Sequence, residues 1–395
     1  MSTEREVVVL SGVRTAIGDY GSALKDMPPS ELAATVIKEA VKRANVDPQQ
    51  VGQLVLGNVI HTEAKDMYIS RVACIKGGLP QDATALTVNR LCGSGLQAIV
   101  SAAQSIKLGD TDLAVGGGTE SMSRGAYIVP SLRWGQRMND GGFVDMMVGA
   151  LTDPFDTVHM GITAENIADR WKISREQQDE FAVESHRRAI NAIEKGYFKD
   201  QIVPIELKSR KGTVTFDRDE HPRSDASVEG MAKLRAVFKK DGSVTAGNAS
   251  GINDGAAAVV LMEKQAAEKA GRKPMARLVC YGLAGVDPKI MGIGPVPSVK
   301  KARDNAGLSV EDMDVIESNE AFAVQALAVS CDLKFDPKKT NPNGGAVGLG
   351  HPIGATGAVL TVKALYELQR TGGRYALVTM CIGGGQGIAA VFERI

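Results

Sequence analysis

The chain has 395 residues, 44% of them apolar and 23% charged, the composition of an ordinary globular protein with length for about two or three domain-sized units. Forty-six basic residues balance 46 acidic ones, which excludes a general nucleic-acid binder with its net basic footprint, though not one local phosphate pocket. Five cysteines, few and odd in number, exclude a disulfide-stapled fold.

The first apolar run, Val7 to Leu10, is too short for a secretory h-region, and the residues before it are polar. Pro29-Ser30 then precedes a helical run, "ELAATVIKEAVKRA", followed by the turn "NVDPQQ" and the strand "QLVLGN", which ends at Asn58. "ALTVN" reads as a strand and "RLCGSG" as a tight turn. "LQAIVSAAQSIKLG" has helical apolar spacing and a stop at Gly109, and "DLAVGGG" is the next strand. The character then changes. A more charged stretch holds the amphipathic helix "SREQQDEFAVESHRRAINAIEKGYF" and a basic run at 207–212, read as a solvated loop able to steer an anionic substrate. "SGINDGAAAVVLMEK" returns to an apolar strand.

The second part of the chain repeats the first. Pro297-Ser298 precedes "VKKARDNAG", a helix shorter than its counterpart by about two turns, then come the turn "LSVED" and the strand "DVIESN", which ends at Asn319. "LGHPIGATG" opens the helix "AVLTVKALYELQRTGG", the strand "YALVTM" leads into a glycine run holding Cys381, and "GIAAVFER" closes the chain. Each half therefore reads β-α-β-α-β-β, with helices joining largely parallel strands that are covered on both faces. The expected organisation is a first half over 1–120 and 248–272, an inserted loop or lid domain over 121–247, and a second half over 273–395. A duplication implies a pseudo-two-fold axis, which brings the turn of Cys92 and the turn of His351 together at the centre.

Cys92 follows a strand and opens a helix, where the positive end of the helix dipole is expected to lower its pKa, while Gly93 and Gly95 let backbone N–H groups approach a ligand. His351, between Gly350 and Pro352, is read as the start of the matching helix, where a neutral imidazole takes the thiol proton. His61, His159, His186 and His221 lack that setting, and His186 is expected on the surface of its charged helix. Cys381 ends a strand at the same junction. It reads equally as a small core residue or as a second thiol with its own proton or acyl task. Asn319 is placed to hold a water or a substrate oxygen, or simply to form a turn. No Gly-Lys dipeptide gives a phosphate-binding loop. Gly348, Gly350 and Gly354 resemble a dinucleotide fingerprint only loosely, and no pair of Cys or His has metal-ligand spacing, so no metal is expected.

"NRLCGSG", "GGGTESMS", "HMGITAEN", "TAGNASGINDGAAA", "SNEAFA", "NGGAVGLGHPIGATG" and "CIGGGQG" together resemble the thiolase family over the whole chain, in the family's order and spacing, and look most like its bacterial biosynthetic branch. The resemblance implies an α/β protein with a five-layered αβαβα fold built from two duplicated halves. It implies reversible Claisen condensation of an acyl-CoA with acetyl-CoA to a 3-ketoacyl-CoA and CoA, with no prosthetic group and coenzyme A thioesters as substrates. By this resemblance Cys92 carries the acyl group, His351 activates it, and Cys381 removes an α-proton from the second substrate. Asn319, through a water, and His351 hold the enolate oxygen, while the N–H groups of Cys92 and Gly383 form the other oxyanion site. Leu151, His159, Met160 and Arg223 match family positions along coenzyme A, as do Phe238, Ala246, Ser250 and Phe322, and Met291 borders the acyl pocket. The resemblance also implies a homotetramer. Two other readings of the same fold stay open: a decarboxylating ketoacyl synthase-like enzyme, and a non-catalytic carrier of acyl-CoA or lipid. A reducing cytoplasm, away from membranes, is the expected location, since no apolar stretch approaches membrane-spanning length and Phe-Glu-Arg-Ile carries no targeting tripeptide.

Overall fold

The computed structural model describes residues 5–209 and 212–395; Met1 to Glu4, in the polar start, and Arg210-Lys211, in the basic run, lie outside it. The main strands are β1 (Val7–Arg14), β2 (Gln53–Gly57), β3 (Thr84–Val88), β4 (Leu113–Ser121), β5 (Asn253–Glu263), β6 (Ala276–Gly285), β7 (Val315–Ser318), β8 (Tyr375–Ile382) and β9 (Gln386–Arg394). The main helices are α1 (Pro29–Ala44), α2 (Ile69–Lys76), α3 (Ser94–Leu108), α4 (Met160–Trp171), α5 (Arg175–Glu194), α6 (Pro295–Ala306), α7 (Ala323–Leu333) and α8 (Thr356–Thr371).

One sheet runs β7-β8-β9-β6-β1-β5-β4-β2-β3. Its two halves match strand for strand, β1 with β6, β2 with β7, β4 with β8 and β5 with β9. They join where Val8 and Val9 pair antiparallel with Arg277 and Ala276. The partner that β3 would have in the second half is reduced to a bridge from Ile316 to Thr340. Among the main strands described, only β2 with β3, β2 with β4, and β7 with β8 are parallel. The remaining pairs are antiparallel, which corrects the expectation of largely parallel strands. In each half the last strand returns beside its predecessor, and a strand that returns without a crossover must be antiparallel. Runs such as "GAAAVVLME" are apolar on both faces in either direction, so hydrophobicity alone could not show this.

Helices α1 and α2 cover the outer face of the first half-sheet, α6 covers that of the second, and α3 and α8 lie between the two half-sheets. The architecture is therefore α/β/α/β/α. Helix α6 has 12 residues against 16 in α1, one turn shorter rather than two. It begins at Pro295, because a proline in the first turn loses no hydrogen bond the helix could have made. Helices α2, α4 and α7 were not foreseen, and strand β6, which the β-α-β-α-β-β reading of the second half requires, was not located.

The middle layer shows what the glycines around Cys92 do. A Cβ on Gly95 would lie 2.7 Å from the Ala358 nitrogen, and one on Gly357 would lie 2.3 Å from the Leu96 nitrogen. The first turns of α3 and α8 thus touch backbone to backbone across the pseudo-two-fold axis. Gly93 faces the Ile382 side chain, where a Cβ would meet Cδ1 at 2.6 Å. Close packing, not ligand approach, requires Gly93 and Gly95. Gly357→Ala is expected to force these helices apart at a cost of about 1–3 kcal/mol, seen as a lower midpoint in urea unfolding. An unchanged midpoint would show that the contact is not tight.

Between β4 and β5 the chain leaves the sheet for an excursion holding α4, α5 and two short hairpins. A fully buried, two-pronged ion pair anchors it to β1: Arg14 Nη1 and Nη2 donate to Asp219 Oδ1 and Oδ2 at 2.7 and 2.9 Å. The buried face of α5 carries Ala182, Ser185, His186 and Ala189, so His186 is 3% exposed and not on the surface. That stripe is made of small and polar residues, and a scale that seeks apolar ones passes over it.

Candidate active site

Cys92 sits in the turn between β3 and α3. Leu91 before it holds a left-handed backbone, φ +44°, which is costly for a leucine. The Ser94 hydroxyl braces the turn, accepting from the Arg90 N–H at 2.8 Å and donating to the Leu91 carbonyl at 2.7 Å. From the other half, the β8–β9 hairpin brings the Gly383 N–H onto the Cys92 sulfur, and the Cys92 N–H points there too. Burial nonetheless pushes the thiol up to about 11 against these two donors, with the Glu120 charge adding to the rise. The sequence suggested a lowered pKa. The correction follows from packing: removal of the sulfur from water outweighs the helix dipole.

Cys381 lies in β8 with 0% exposure. Burial and the neighbouring Cys92 both hold its thiol far above the ordinary range, so the two sulfurs feel one another. His351 is buried in an extended turn ahead of α8. That helix starts at Thr356, so His351 does not open it. Burial lowers its imidazole to about 4, which keeps it neutral. Its tautomer follows from one hydroxyl. The Thr356 Oγ1 hydrogen goes to the Pro352 carbonyl at 2.9 Å, so Oγ1 must accept from His351 Nδ1–H at 2.7 Å. Nε2 is left as a bare acceptor, 3.4 Å from the Asn319 amide nitrogen. Asn319 is fully buried, and its N–H donates to the Thr379 carbonyl at 2.9 Å.

A cavity of about 320 Å³ opens onto this cluster, and Cys92, His351 and Gly383 line it. Leu151, His159, Met160 and Met291 also face it, as do Phe238, Ala246, Ser250 and Phe322. His159 stacks on Phe238 with centroids 4.5 Å apart, and Phe238 meets Phe322 edge-on at 6.4 Å, which gives an aromatic wall. Arg223 is the exception. It lines an adjoining cavity of about 310 Å³ that shares Ala246 with the first. Cys381 and Asn319 stand behind the cavity wall, not on it. A Cβ on Gly383 would meet Met160 Cε at 3.0 Å and Leu91 Cδ1 at 3.1 Å, so the room it leaves is shared with side chains. Among the described residues no cluster of His, Cys, Asp or Glu has the makings of a metal site, and all five cysteines are free thiols.

Sequence reasoning missed three residues here: Thr356, Asn253 and Glu120. Asn253 Oδ1 accepts the His351 N–H at 2.8 Å. Glu120 is fully buried at the end of β4; burial pushes its carboxyl upward, but both oxygens accept only N–H groups, from Asn58, Val59, Ile60 and Gly354, which holds it as a carboxylate. An acid closing the apolar strand "LAVGGGTES" was the available signal.

The chain matches two family models, "Thiolase, N-terminal domain" over residues 7–265 and "Thiolase, C-terminal domain" over 272–394. It is 67% identical to the beta-ketothiolase BktB of Cupriavidus necator, over 99% of this chain and 100% of the relative. It superposes on the crystal structure of the Bacillus anthracis acetyl-CoA acetyltransferase with a TM-score of 0.98 and 48% identity, over 100% of both chains. It superposes on human mitochondrial 3-ketoacyl-CoA thiolase in complex with CoA with a TM-score of 0.96 and 44% identity, over 99% of this chain and 98% of that one.

Proposed function

Because the chain belongs to the thiolase family, we propose that Cys92, His351, Cys381, Asn319 and Gly383 carry out its acyl transfer between coenzyme A thioesters. The reaction is the reversible condensation of an acyl-CoA with acetyl-CoA to a 3-ketoacyl-CoA and free CoA. The observation that carries the assignment is the meeting of a thiol, an N–H pair aimed at it and a neutral imidazole on one mostly apolar cavity.

In the first half-reaction, His351 Nε2 takes the Cys92 proton as the sulfur attacks the acyl-CoA carbonyl. The carbonyl oxygen becomes an oxyanion beside the N–H groups of Cys92 and Gly383. The bond from carbonyl carbon to the CoA sulfur breaks, and the departing CoA thiolate takes the Cys381 proton. Acyl-Cys92, a Cys381 thiolate and a His351 imidazolium remain. Both thiols have raised pKa values, so neither rests as a thiolate, and each can lose its proton only to a partner placed beside it. In the second half-reaction, the Cys381 thiolate takes an α-proton from acetyl-CoA. The enolate oxygen rests on His351 Nε2–H and, through a water, on Asn319. The carbanion attacks acyl-Cys92, Cys92 leaves as thiolate, and His351 returns its proton. Each step balances without a prosthetic group.

Coenzyme A lies, on this reading, against the aromatic wall of His159, Phe238 and Phe322, with its nucleotide toward Arg223 and residues 121–247 acting as the lid. A second copy of the chain is the protein partner, in a homotetramer. Trp134, 92% exposed, with exposed Met138 and Phe143 near the hairpin of Tyr127–Ile128 and Val144–Asp145, offers an apolar surface for it. No helix among the described residues is long and apolar enough to cross a membrane. The reducing cytoplasm suits an enzyme that needs two free thiols.

Alkylation tests the state of the nucleophile. The rate at which iodoacetamide modifies Cys92 is expected to keep climbing above about pH 9.5, where an ordinary thiol of pKa about 8.5 has levelled off. The sign follows from the raised pKa: thiolate accumulates only as pH approaches about 11. A plateau near neutral pH would mean a pre-formed thiolate and a different route of activation. Thiolysis rates for acetoacetyl-CoA, 3-ketovaleryl-CoA and a long 3-ketoacyl-CoA test the reaction itself and its chain-length range.

A further inference from the structure

We propose that Glu120 is a positioning residue: its buried carboxylate, from the first half of the fold, fixes the second-half loop that carries His351. The proposal rests on His351 acting as the base for Cys92. The nucleophile comes from the first half and its base from the second, so something must set the distance between them. The backbone of the 350–354 loop is gripped at both ends by first-half side chains. At one end Asn253 Oδ1 accepts the His351 N–H at 2.8 Å. At the other, Glu120 Oε2 accepts the Gly354 N–H at 2.9 Å.

Glu120 also holds its own half. Its oxygens accept the Asn58 side-chain amide at 3.0 Å and the Val59 and Ile60 N–H groups at 3.1 Å each. Its four partners are all N–H donors, three of them on the turn after β2 and one on the His351 loop. A neutral amide in this place must turn its NH2 group toward N–H donors and lose at least part of the set. The loop has no slack to absorb the loss by moving closer. A Cβ on Gly118 would lie 2.2 Å from the Gly354 carbonyl, and one on Gly354 would lie 2.6 Å from Glu120 Oε2. On the other side, a Cβ on Gly350 would lie 2.6 Å from the Asn253 side chain. The His351 loop is thus seated by glycine contacts and locked by two side chains, neither of which lines the substrate cavity. Loosening the lock shifts an imidazole that must reach a thiol at hydrogen-bond range, and misplacement of a reacting group by about 1 Å costs on the order of 100-fold in rate.

The test is Glu120→Gln in the full-length protein, read in three ways. In acetoacetyl-CoA thiolysis, kcat is expected to fall about 10–100-fold with KM for CoA unchanged. Iodoacetamide modification of Cys92 at pH 7 is expected to slow by a similar factor, because the base is displaced while the thiol is not. Asn253→Ala, which frees the other end of the loop, is expected to give the same pattern and serves if Glu120→Gln does not fold. A folded Glu120→Gln with native kcat and native alkylation overturns the proposal, as does a rise in KM alone. His351→Asn is run alongside. If His351→Asn leaves Cys92 alkylation at the native rate, it is the base assignment that fails. If it slows alkylation and neither clamp variant does, the clamp alone is wrong.

Discussion

Cys92→Ala is expected to lower kcat for thiolysis by about 10⁴-fold or more, because in the proposed mechanism it removes the atom that bonds to the acyl carbon. Nothing nearby replaces it. Cys381 has no exposure and its thiol is held far above the ordinary range, and His351 is directed by Thr356 to act as an acceptor. What remains, the N–H groups of residues 92 and 383 and a binding cavity, stabilises an oxyanion only after a nucleophile has attacked. The substitution removes one sulfur at the edge of a cavity, a small change of volume, so the fold should survive it. The direct measurement is transfer of a radiolabelled acetyl group from acetyl-CoA to the protein. Labelling of the native chain and none of Cys92→Ala separates an enzyme from a carrier that merely holds acyl-CoA. Stoichiometric label on Cys92→Ala would place the nucleophile elsewhere.

Much of this architecture is legible in the residues. The run "ELAATVIKEAVKRA" has helical spacing, and α1 forms there; Gly109 closes α3 with a left-handed φ of +88°. The duplication was readable because Asn58 and Asn319 end equivalent strands, and the structure aligns β2 with β7. The equivalents have diverged, however: Asn58 holds Glu120, while Asn319 faces His351. Strand direction was hidden, since "LAVGGGTES" and "NDGAAAVVLME" are apolar either way and pair antiparallel. The acid at the end of the first of these looks like an ordinary strand terminus until Gly354 arrives from the other half. Contacts between residues 234 apart have no local signature. The direction of the Cys92 pKa was misread for a related reason. A helix start is visible in sequence, but the burial that outweighs it belongs to the assembled core. The glycines of "CGSG" invite a ligand-facing reading, yet Gly95 serves the contact between α3 and α8 and Gly93 packs on Ile382. Local pattern gives elements and their turns; it does not give what packs against them.

Cys381→Ser separates the two half-reactions. The variant is expected to accept an acetyl group on Cys92 but to lose about 10³-fold in acetoacetyl-CoA formation. A hydroxyl keeps the shape of the thiol, so the cavity and the Cys92 turn stay in place. It cannot supply the base. An alkoxide in a fully buried pocket is costlier still than a thiolate, and no step of the first half-reaction generates one. CoA release must then take its proton from another source, so acylation is expected to slow modestly rather than stop. The hydroxyl also needs a hydrogen-bond partner in an apolar cluster, which costs about 1–3 kcal/mol of stability. Unfolding is therefore measured beside activity, to separate lost chemistry from lost fold. Two rates decide the matter: label transfer to Cys92 in a single turnover, and condensation in the steady state. If both fall together, Cys381 serves acylation as much as proton abstraction. If condensation keeps its native rate, the α-proton goes to a different group, and the chemistry moves toward that of condensing enzymes that drive the same bond by decarboxylation.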